Sequence, residues 1–537
     1  MITKEIVKTA TKFKIELGAI SIWLCSRFAI YFQIPTYMDE GIIAFYANRA
    51  LKDPSARFDI MFGDKGLLTT WFSAWVTGLG FSPFMSVRIY ALICSFSTLA
   101  VMYFISVKLF GVIAGRIFLL LYTFSPFTLI HDVVGFLDPG VSLVAASTFY
   151  LMIKYFENKD IKYIFIIGII VGLGTLIRES SHYYIFLIPL SIVINEVLNP
   201  KSKQALKIIS HIALFLITIY PIYSIKKLTP LGYPQIKPIV ENHYLFTDFL
   251  KNPFKMVEAN TFFYSQLLIG YAILICFLFL LSATNFKKLT RYLKGIYIIC
   301  CFWIITPLIG ALLFASLPSS RYIIATIPFM ILAIVSNFQA VSLKNSLKMF
   351  QSKIFGFITT VLIVLTLSQS AFMTLNLQRY VLPGLDDWQY FRAQQLSGSG
   401  LNEIINKIEL VTSKGPNINS AVKVLGVNSY NNGILSVYLN ETKTFEKRQV
   451  DVFGYNEQKL TEFDFVLIEE GDIGVYTSWG WPLFYLGRNN HESARLPLYL
   501  NEKFYDELKL SHERYFEYMR PRNGATVVLY VKTKINL

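Results

Sequence analysis

Long apolar runs broken by short polar clusters fill the first 376 residues of the chain. A helix needs about 20 apolar residues to cross a bilayer core. Eleven stretches come close to that length: 15–34, 86–107, 112–130, 139–155, 162–177, 182–198, 206–225, 263–284, 295–316, 321–341 and 354–375. Each is expected to span. Residues 66–81 form a further apolar run of 16, short for a crossing, and a span there would scatter the loop lysines over both sides. This run is expected to lie as a helix in the membrane interface, with Trp71 and Trp75 at headgroup depth. Residues 35–85 then make one long outer loop.

Beyond residue 376 the pattern changes. Pro383-Gly384 and Ser397-Gly398-Ser399-Gly400 read as linker. Short runs rich in Val, Leu and Ile at 421–427, 463–468 and 525–531 predict buried strands, while 401–410 and 505–518 predict helices. The expected architecture is a polytopic α-helical membrane domain, residues 1–376, followed by a small soluble α/β domain, residues 377–537. No internal repeat of fixed period is visible in the sequence.

Composition narrows the class. The chain is 54% hydrophobic and 16% charged, with a mean hydropathy of +0.47, whereas soluble domains carry about a quarter of their residues as Asp, Glu, Lys and Arg. Disorder is excluded, and five cysteines in 537 residues cannot build a disulfide scaffold. Cys25, Cys94, Cys276, Cys300 and Cys301 all lie in apolar stretches and read as small hydrophobes. A net charge of +15 raises the question of nucleic acid. However, residues 377–537 hold 18 of the 50 basic and 19 of the 35 acidic groups, leaving 32 and 16 in the apolar part. The excess lies between spans, where Lys and Arg set orientation. No nucleic-acid partner is expected.

With a cytoplasmic N-terminus, alternate connections carry 19 positive residues, from Lys4, Lys8, Lys12 and Lys14 to Lys344, Lys348 and Lys353. The short turns facing the other way, near 131–138, 178–182 and 317–321, offer only Arg178 and Arg321. An odd number of spans places the C-terminal domain outside. The first span has a basic flank but no small-residue cleavage site after it, and reads as a retained helix of a multi-pass cell-membrane protein.

Ionisable groups near a bilayer are costly, so their placement is informative. The outer side collects Asp39, Glu40, Asp53, Asp59, Asp64, Asp132, Asp138 and Glu179. Asp39-Glu40 suits the start of a helix, Asp39 as N-cap and Glu40 as a first-turn acid, and a capped helix also holds a carboxylate rigidly. Asp64-Lys65-Gly66 opens the interfacial run. Lys65 either snorkels towards headgroups or holds a lipid phosphate as a point charge. His131-Asp132 and Asp138-Pro139 bracket a turn between two spans. Asp138 suits an N-cap before a first-turn proline, and His131 an interfacial imidazole. The alternative is a ledge shared with Asp39 and Asp64, whose hard oxygens suit Mg²⁺ or Mn²⁺, although the spacing is not a metal motif. Arg178-Glu179, with His182, and Arg321-Tyr322 stand at other outer span ends, as an ion pair and a helix flank in the plainest reading. Their recurrence on the face that also carries the long loop and the extra domain points to a site at the outer interface.

The ordered set resembles the GT-C glycosyltransferases, in particular the protein O-mannosyltransferase and lipid A aminoarabinose-transferase branch. One span leads to Tyr37-Met38-Asp39-Glu40-Gly41 and a helix with Tyr46-Ala47. Gly63-Asp64-Lys65-Gly66-Leu67-Leu68 then resembles the family's acid-Lys-Pro-Pro-Leu segment. Arg88 starts the next span, Leu137-Asp138-Pro139 comes two spans on, and Arg321-Tyr322 opens a late helix. The likeness runs through roughly 15–340. It departs where Gly66 and Leu67 replace the double proline, and where Ile42 and Ile43 stand in place of an Arg-Tyr pair. The resemblance implies a donor sugar on a polyprenyl phosphate and a glycan, lipid or protein acceptor beside membrane lipids. It implies Asp39 as general base in an inverting transfer, with Glu40 positioning the acceptor. Lys65, helped by Arg321, Arg88 and Arg178, would hold the donor phosphate, and Asp64, Asp138 and His131 would serve substrate or metal. Family members with and without a divalent ion leave the cofactor open.

Three other classes compete with this reading. A lipid-linked oligosaccharide ligase or polymerase is related but takes a different donor. A transporter or flippase calls for inverted repeats and charges deep in the spans, where Arg27 is the main candidate. A surface protein on a membrane anchor needs far fewer than eleven spans. Trp479-Gly480-Trp481 and the aromatics of 515–518 could stack on sugars, though such residues are more often core.

Overall fold

The computed structural model describes residues 13–63, 66–198, 205–225, 253–284, 286–314, 319–336, 353–383, 391, 398, 400–413, 422–427, 450–454, 459–470, 502–519 and 526–533. The chain divides into two compact units. One comprises Met1–Phe32, Phe58–Thr69 and Ile89–Tyr380, the other Gln33–Arg57, Thr70–Arg88 and Val381–Leu537. In chain order the helices begin with α1 (Lys14–Gln33), α2 (Met38–Lys52), α3 (Leu67–Gly78), α4 (Pro83–Phe110), α5 (Val112–Thr123), α6 (Pro126–His131) and α7 (Asp138–Asn158). They continue with α8 (Ile161–Ile177), α9 (Tyr183–Leu198), α10 (Ala205–Ser224), α11 (Pro253–Thr284), α12 (Arg291–Phe314), α13 (Thr326–Val335) and α14 (Lys353–Asn376). Helices α15 (Leu401–Ser413) and α16 (Glu502–Ser511) follow.

Each of the eleven apolar stretches contains helix. Among the described residues, six helices are long and apolar enough to cross a membrane, and four shorter apolar helices accompany them. The stretch 112–130 breaks into α5 and α6 because Pro126 has no N–H to continue the first helix. Pro139 sits in the first turn of α7, where its missing donor costs nothing. Helix α11 begins before the expected 263 and bends at Ala272, whose φ of −133° and ψ of 23° leave the helical region.

In lipid, helices gain no hydrophobic advantage from meeting, so close van der Waals packing must hold them. Gly168 and Gly172, one turn apart on α8, supply it against α10. A Cβ on Gly168 would lie 2.7 Å from the Thr218 Cβ, and one on Gly172 would lie 2.9 Å from the Ile222 Cδ1. Helix α1 is fixed by charge instead. The Arg27 side chain, 0% exposed, bonds Asp132 at 3.2 Å, the Thr123 carbonyl at 2.7 Å and the Thr128 hydroxyl at 2.8 Å. Asp132 also accepts from Trp23 and Tyr122 at 3.1 and 3.0 Å. This is the one deep charge that the sequence flagged, and its bonds all run to fixed neighbours.

The second unit holds α2, most of α3 and the C-terminal sheet. Ala47 and Ala50 of α2 pack on Ala74 of α3. The strands are β1 (Val422–Val427), β2 (Val450–Gly454), β3 (Phe465–Glu470), β4 (His512–Met519) and β5 (Thr526–Lys532), in the order β2-β1-β3-β5-β4. β1 is parallel to β2 and β3, and β5 is antiparallel to β3 and β4. Leu425, Val466, Ile468 and Val528 form one face of the core with Phe504 and Leu508 of α16. β1, β3 and β5 match the expected strands, and β2 adds one. The helix expected over 505–518 is corrected: α16 stops at Ser511 and β4 takes the rest. From there exposure alternates, with Phe516 and Tyr518 half-buried between exposed neighbours, and β-prone aromatics pair with β5. Trp479-Gly480-Trp481 lies outside the described residues.

Gly168→Val should force α8 and α10 apart, costing about 1–3 kcal/mol and lowering the thermal unfolding temperature in detergent. A second outcome concerns His512, buried with its Nε2 3.1 Å from the Phe463 carbonyl. Burial holds its pKa below the ordinary value. The contribution of the neutral imidazole is therefore full above an unfolded value of about 6.5 and is lost as pH falls below it. The unfolding temperature should fall on acidification from about pH 7.5 to 5.5, and His512→Gln should flatten that slope.

Candidate active site

The predicted site residues fall into two groups, one in each unit. In the first unit, the start of α7 meets the end of α8. Asp138, in the first turn of α7, forms an ion pair with Arg178, which follows α8. The Arg178 guanidinium lies 5.4 Å from the centre of the Tyr322 ring, and that of Arg321 lies 5.7 Å from the same centre. Arg321 also lies 5.6 Å from the Phe136 ring. Aromatic faces attract cations, so one tyrosine holds two guanidinium groups that would otherwise repel. A small opening beside them is lined by Asp138, Val141, Ser180, Tyr183, Arg321 and Tyr322, among others. The Ser180 hydroxyl is buried there with no hydrogen-bond partner among the described residues, which leaves a donor for a ligand.

His131 is not at this opening. Its ring is fully buried, stacked on Phe127 at 4.3 Å, with Nδ1 2.8 Å from the Phe127 carbonyl and Nε2 2.8 Å from the Ser320 hydroxyl. The histidine thereby ties α6 to the turn that carries Arg321. His182 stands edge-on to Tyr223.

Two glycines bring the backbone close. A Cβ on Gly66 would lie 2.0 Å from the carbonyl oxygen of Ile177, the residue before Arg178. A Cβ on Gly140 would lie 2.1 Å from the Tyr90 hydroxyl. The segment at Gly66 thus rests on the end of α8. A proline carries a Cβ too, so this approach accounts for glycine where the resembling family has proline. Asp64, Lys65 and the side chain of Glu179 lie outside the described residues.

In the second unit, the entry to α2 is bound at successive peptide groups. The Tyr37 N–H donates to Glu40 at 2.7 Å. Arg88 donates to both Glu40 oxygens at 2.8 and 3.0 Å, and to the carbonyls of Ile34 and Pro35 at 3.2 and 3.0 Å. The cap position of α2 is Tyr37, so Asp39 is not the cap the sequence suggested. Glu40 takes the capping work, reaching back to the Tyr37 N–H as a capping-box acid does. Asp39 is buried in the first turn, 5% exposed. Arg88 serves as a strut between Glu40 and the chain entering α2. Among the described residues, no three His, Cys, Asp or Glu side chains stand close enough to hold a metal ion.

Sequence reasoning missed Ser320, the shared ring face of Tyr322, Phe136, Tyr183 and Ser180. The only signals were an aromatic next to Arg321 and a serine within two positions of each arginine, both too common to single out.

Residues 64–225 match the family described as dolichyl-phosphate-mannose-protein mannosyltransferase. No curated protein matches the chain by sequence. Among solved structures, ArnT from Cupriavidus metallidurans bound to undecaprenyl phosphate is similar with a TM-score of 0.58 and 12% identity, over 97% of this chain and 98% of that one. The same protein in the apo state gives 0.59 over the same shares, again at 12% identity. The Archaeoglobus fulgidus oligosaccharyltransferase in the apo form gives 0.48 at 10% identity, over 84% of this chain and 69% of that one. The chain is a polytopic helical membrane protein with a GT-C-type fold and a C-terminal sheet.

Gly66→Ala should drive a Cβ into a main-chain carbonyl that cannot rotate away. The expected loss is about 1–3 kcal/mol, read as a lower unfolding temperature. Gly18→Ala on α1, with nothing within 4 Å of the new carbon, should cause no loss and serves as the control.

Proposed function

We propose that the chain is a membrane glycosyltransferase that moves a sugar from a polyprenyl-phosphate donor to a glycan, lipid or protein acceptor at the outer face of the cell membrane. The observation that carries this reading is the pair of guanidinium groups, Arg178 and Arg321, held on Tyr322 beside an opening that also presents the Ser180 hydroxyl. Such a cluster suits a phosphate whose charge grows as the sugar leaves. The GT-C-type fold and the family match over 64–225 support the same reading.

In the proposed reaction the acceptor hydroxyl attacks the anomeric carbon as the bond from that carbon to the phosphate oxygen breaks. The bonding electrons leave with the polyprenyl phosphate. Asp39 takes the hydroxyl proton, and the anomeric centre inverts. Lys65, Arg178 and Arg321 stabilise the leaving phosphate, while Asp138 keeps Arg178 in place. Glu40 and Arg88 hold the helix that presents Asp39. Asp138 suits a divalent ion poorly, because its carboxylate already pairs with Arg178, so no step is assigned to a metal. The N-terminus is cytoplasmic in this scheme, and residues 377–537 are extracytoplasmic.

Purified protein supplied with undecaprenyl-phosphate-linked sugars tests the assignment. Asp39→Asn should lose about 10²–10⁴-fold in transfer rate, whereas Lys65→Ala and Arg321→Ala should also weaken donor binding. Near-parental transfer by Asp39→Asn would remove the base from the mechanism.

A further inference from the structure

The turn that enters α2 is held by the C-terminal part of the chain. Residues 34–37 present four consecutive peptide groups, and each has a partner. Arg88 takes the carbonyls of Ile34 and Pro35, and Glu40 takes the Tyr37 N–H. The remaining carbonyl, that of Thr36, accepts from the Gly398 N–H at 2.6 Å. All of these residues belong to the second unit. Gly398 lies more than 350 positions from Thr36 in sequence.

The contact admits no side chain on Gly398. A Cβ there would lie 2.9 Å from the Thr36 carbonyl oxygen and 3.2 Å from the Thr36 Cβ. The next described residue, Gly400, has a φ of +81°, and its Cα faces the Tyr518 ring of β4 with room for hydrogen only, since a Cβ would lie 2.1 Å from it. The carbonyls of Gly398 and Gly400 then accept from Leu401 and Ile404 at 3.1 and 3.2 Å, starting α15. A continuous line of fixed contacts thus runs from the sheet, through Tyr518 and the two glycines, to the peptide three residues before Asp39.

We propose that Gly398 is a positioning residue for Asp39, and that the C-terminal domain is a working part of the active site rather than an appended module. The inference rests on the assignment of Asp39 as base. Arg88 of α4 and Glu40 of α2 clamp one side of the turn. Gly398 clamps the other from the soluble domain, so the domain sets where α2 begins and hence where its first-turn carboxylate stands. A base displaced by about 1 Å costs about 10²-fold in rate. The Arg178 and Arg321 cluster belongs to the other unit and does not depend on this contact.

Gly398→Val in the full-length protein tests this with two readouts. Hydrogen–deuterium exchange should quicken at least about tenfold over residues 36–44, with exchange in α7 and the unfolding temperature unchanged. Transfer from undecaprenyl-phosphate-linked sugar should fall about 10²-fold in kcat, with the donor KM within about twofold of the parent. Parental exchange over 36–44 would overturn the anchor. Parental kcat would overturn the positioning role, as would equal losses in kcat and donor binding with a lowered unfolding temperature. Asp39→Asn, run in parallel, separates the two ideas: its inactivity beside a fully active Gly398→Val would defeat this inference alone, and its own full activity would defeat the assignment of the base.

Discussion

A charge buried near the end of a membrane helix must find its opposite, and the pairing of Asp138 with Arg178 is where that constraint shapes this molecule. Both side chains are largely withdrawn from solvent, at 5% and 15% exposure. Leaving either alone would cost several kcal/mol, about 3–5 for a broken buried pair. Their union fixes the start of α7 against the end of α8, and the neighbouring close contacts follow. Gly66 can rest on the Ile177 carbonyl because that carbonyl is held in place, and Gly140 leaves space for Tyr90 on the same helix start. The Tyr322 ring then lies within reach of both arginines. Arg27 and Asp132 obey the same rule, but their partners close the network and no charge is offered outward.

Around α2 the same logic operates through the backbone. Peptide groups in an irregular turn need hydrogen-bond partners once buried, and the four at 34–37 find them in Arg88, Gly398 and Glu40. Glu40 does two jobs, capping the helix and anchoring Arg88, which accounts for its full burial.

Helix positions were legible in the sequence because apolar length is a strong constraint in lipid, and eleven runs could be seen directly. Their ends were less so: the break at Pro126 and the long α11 depend on local backbone chemistry and packing. In the sheet, the Val- and Leu-rich β1, β3 and β5 announced themselves. β4 did not, because His512–Met519 stands at the edge of the described sheet with exposed charges that mimic a helix face, and its partner β5 comes later in the chain. The site was legible as a set of charges at helix ends. Which charge meets which was not, because Asp138 and Arg178, or Glu40 and Arg88, are joined only by the folded chain. The role of His131 was obscured for a similar reason, since Ser320, which satisfies its Nε2, lies 189 positions away.

Where the phosphate of the proposed donor binds is measured most directly in a structure of the protein solved with undecaprenyl phosphate. The prediction is phosphate density within about 3 Å of the Arg178 and Arg321 guanidinium groups, at the opening beside Ser180, with Lys65 drawn to it. Phosphate bound elsewhere, in contact with neither arginine, would contradict it.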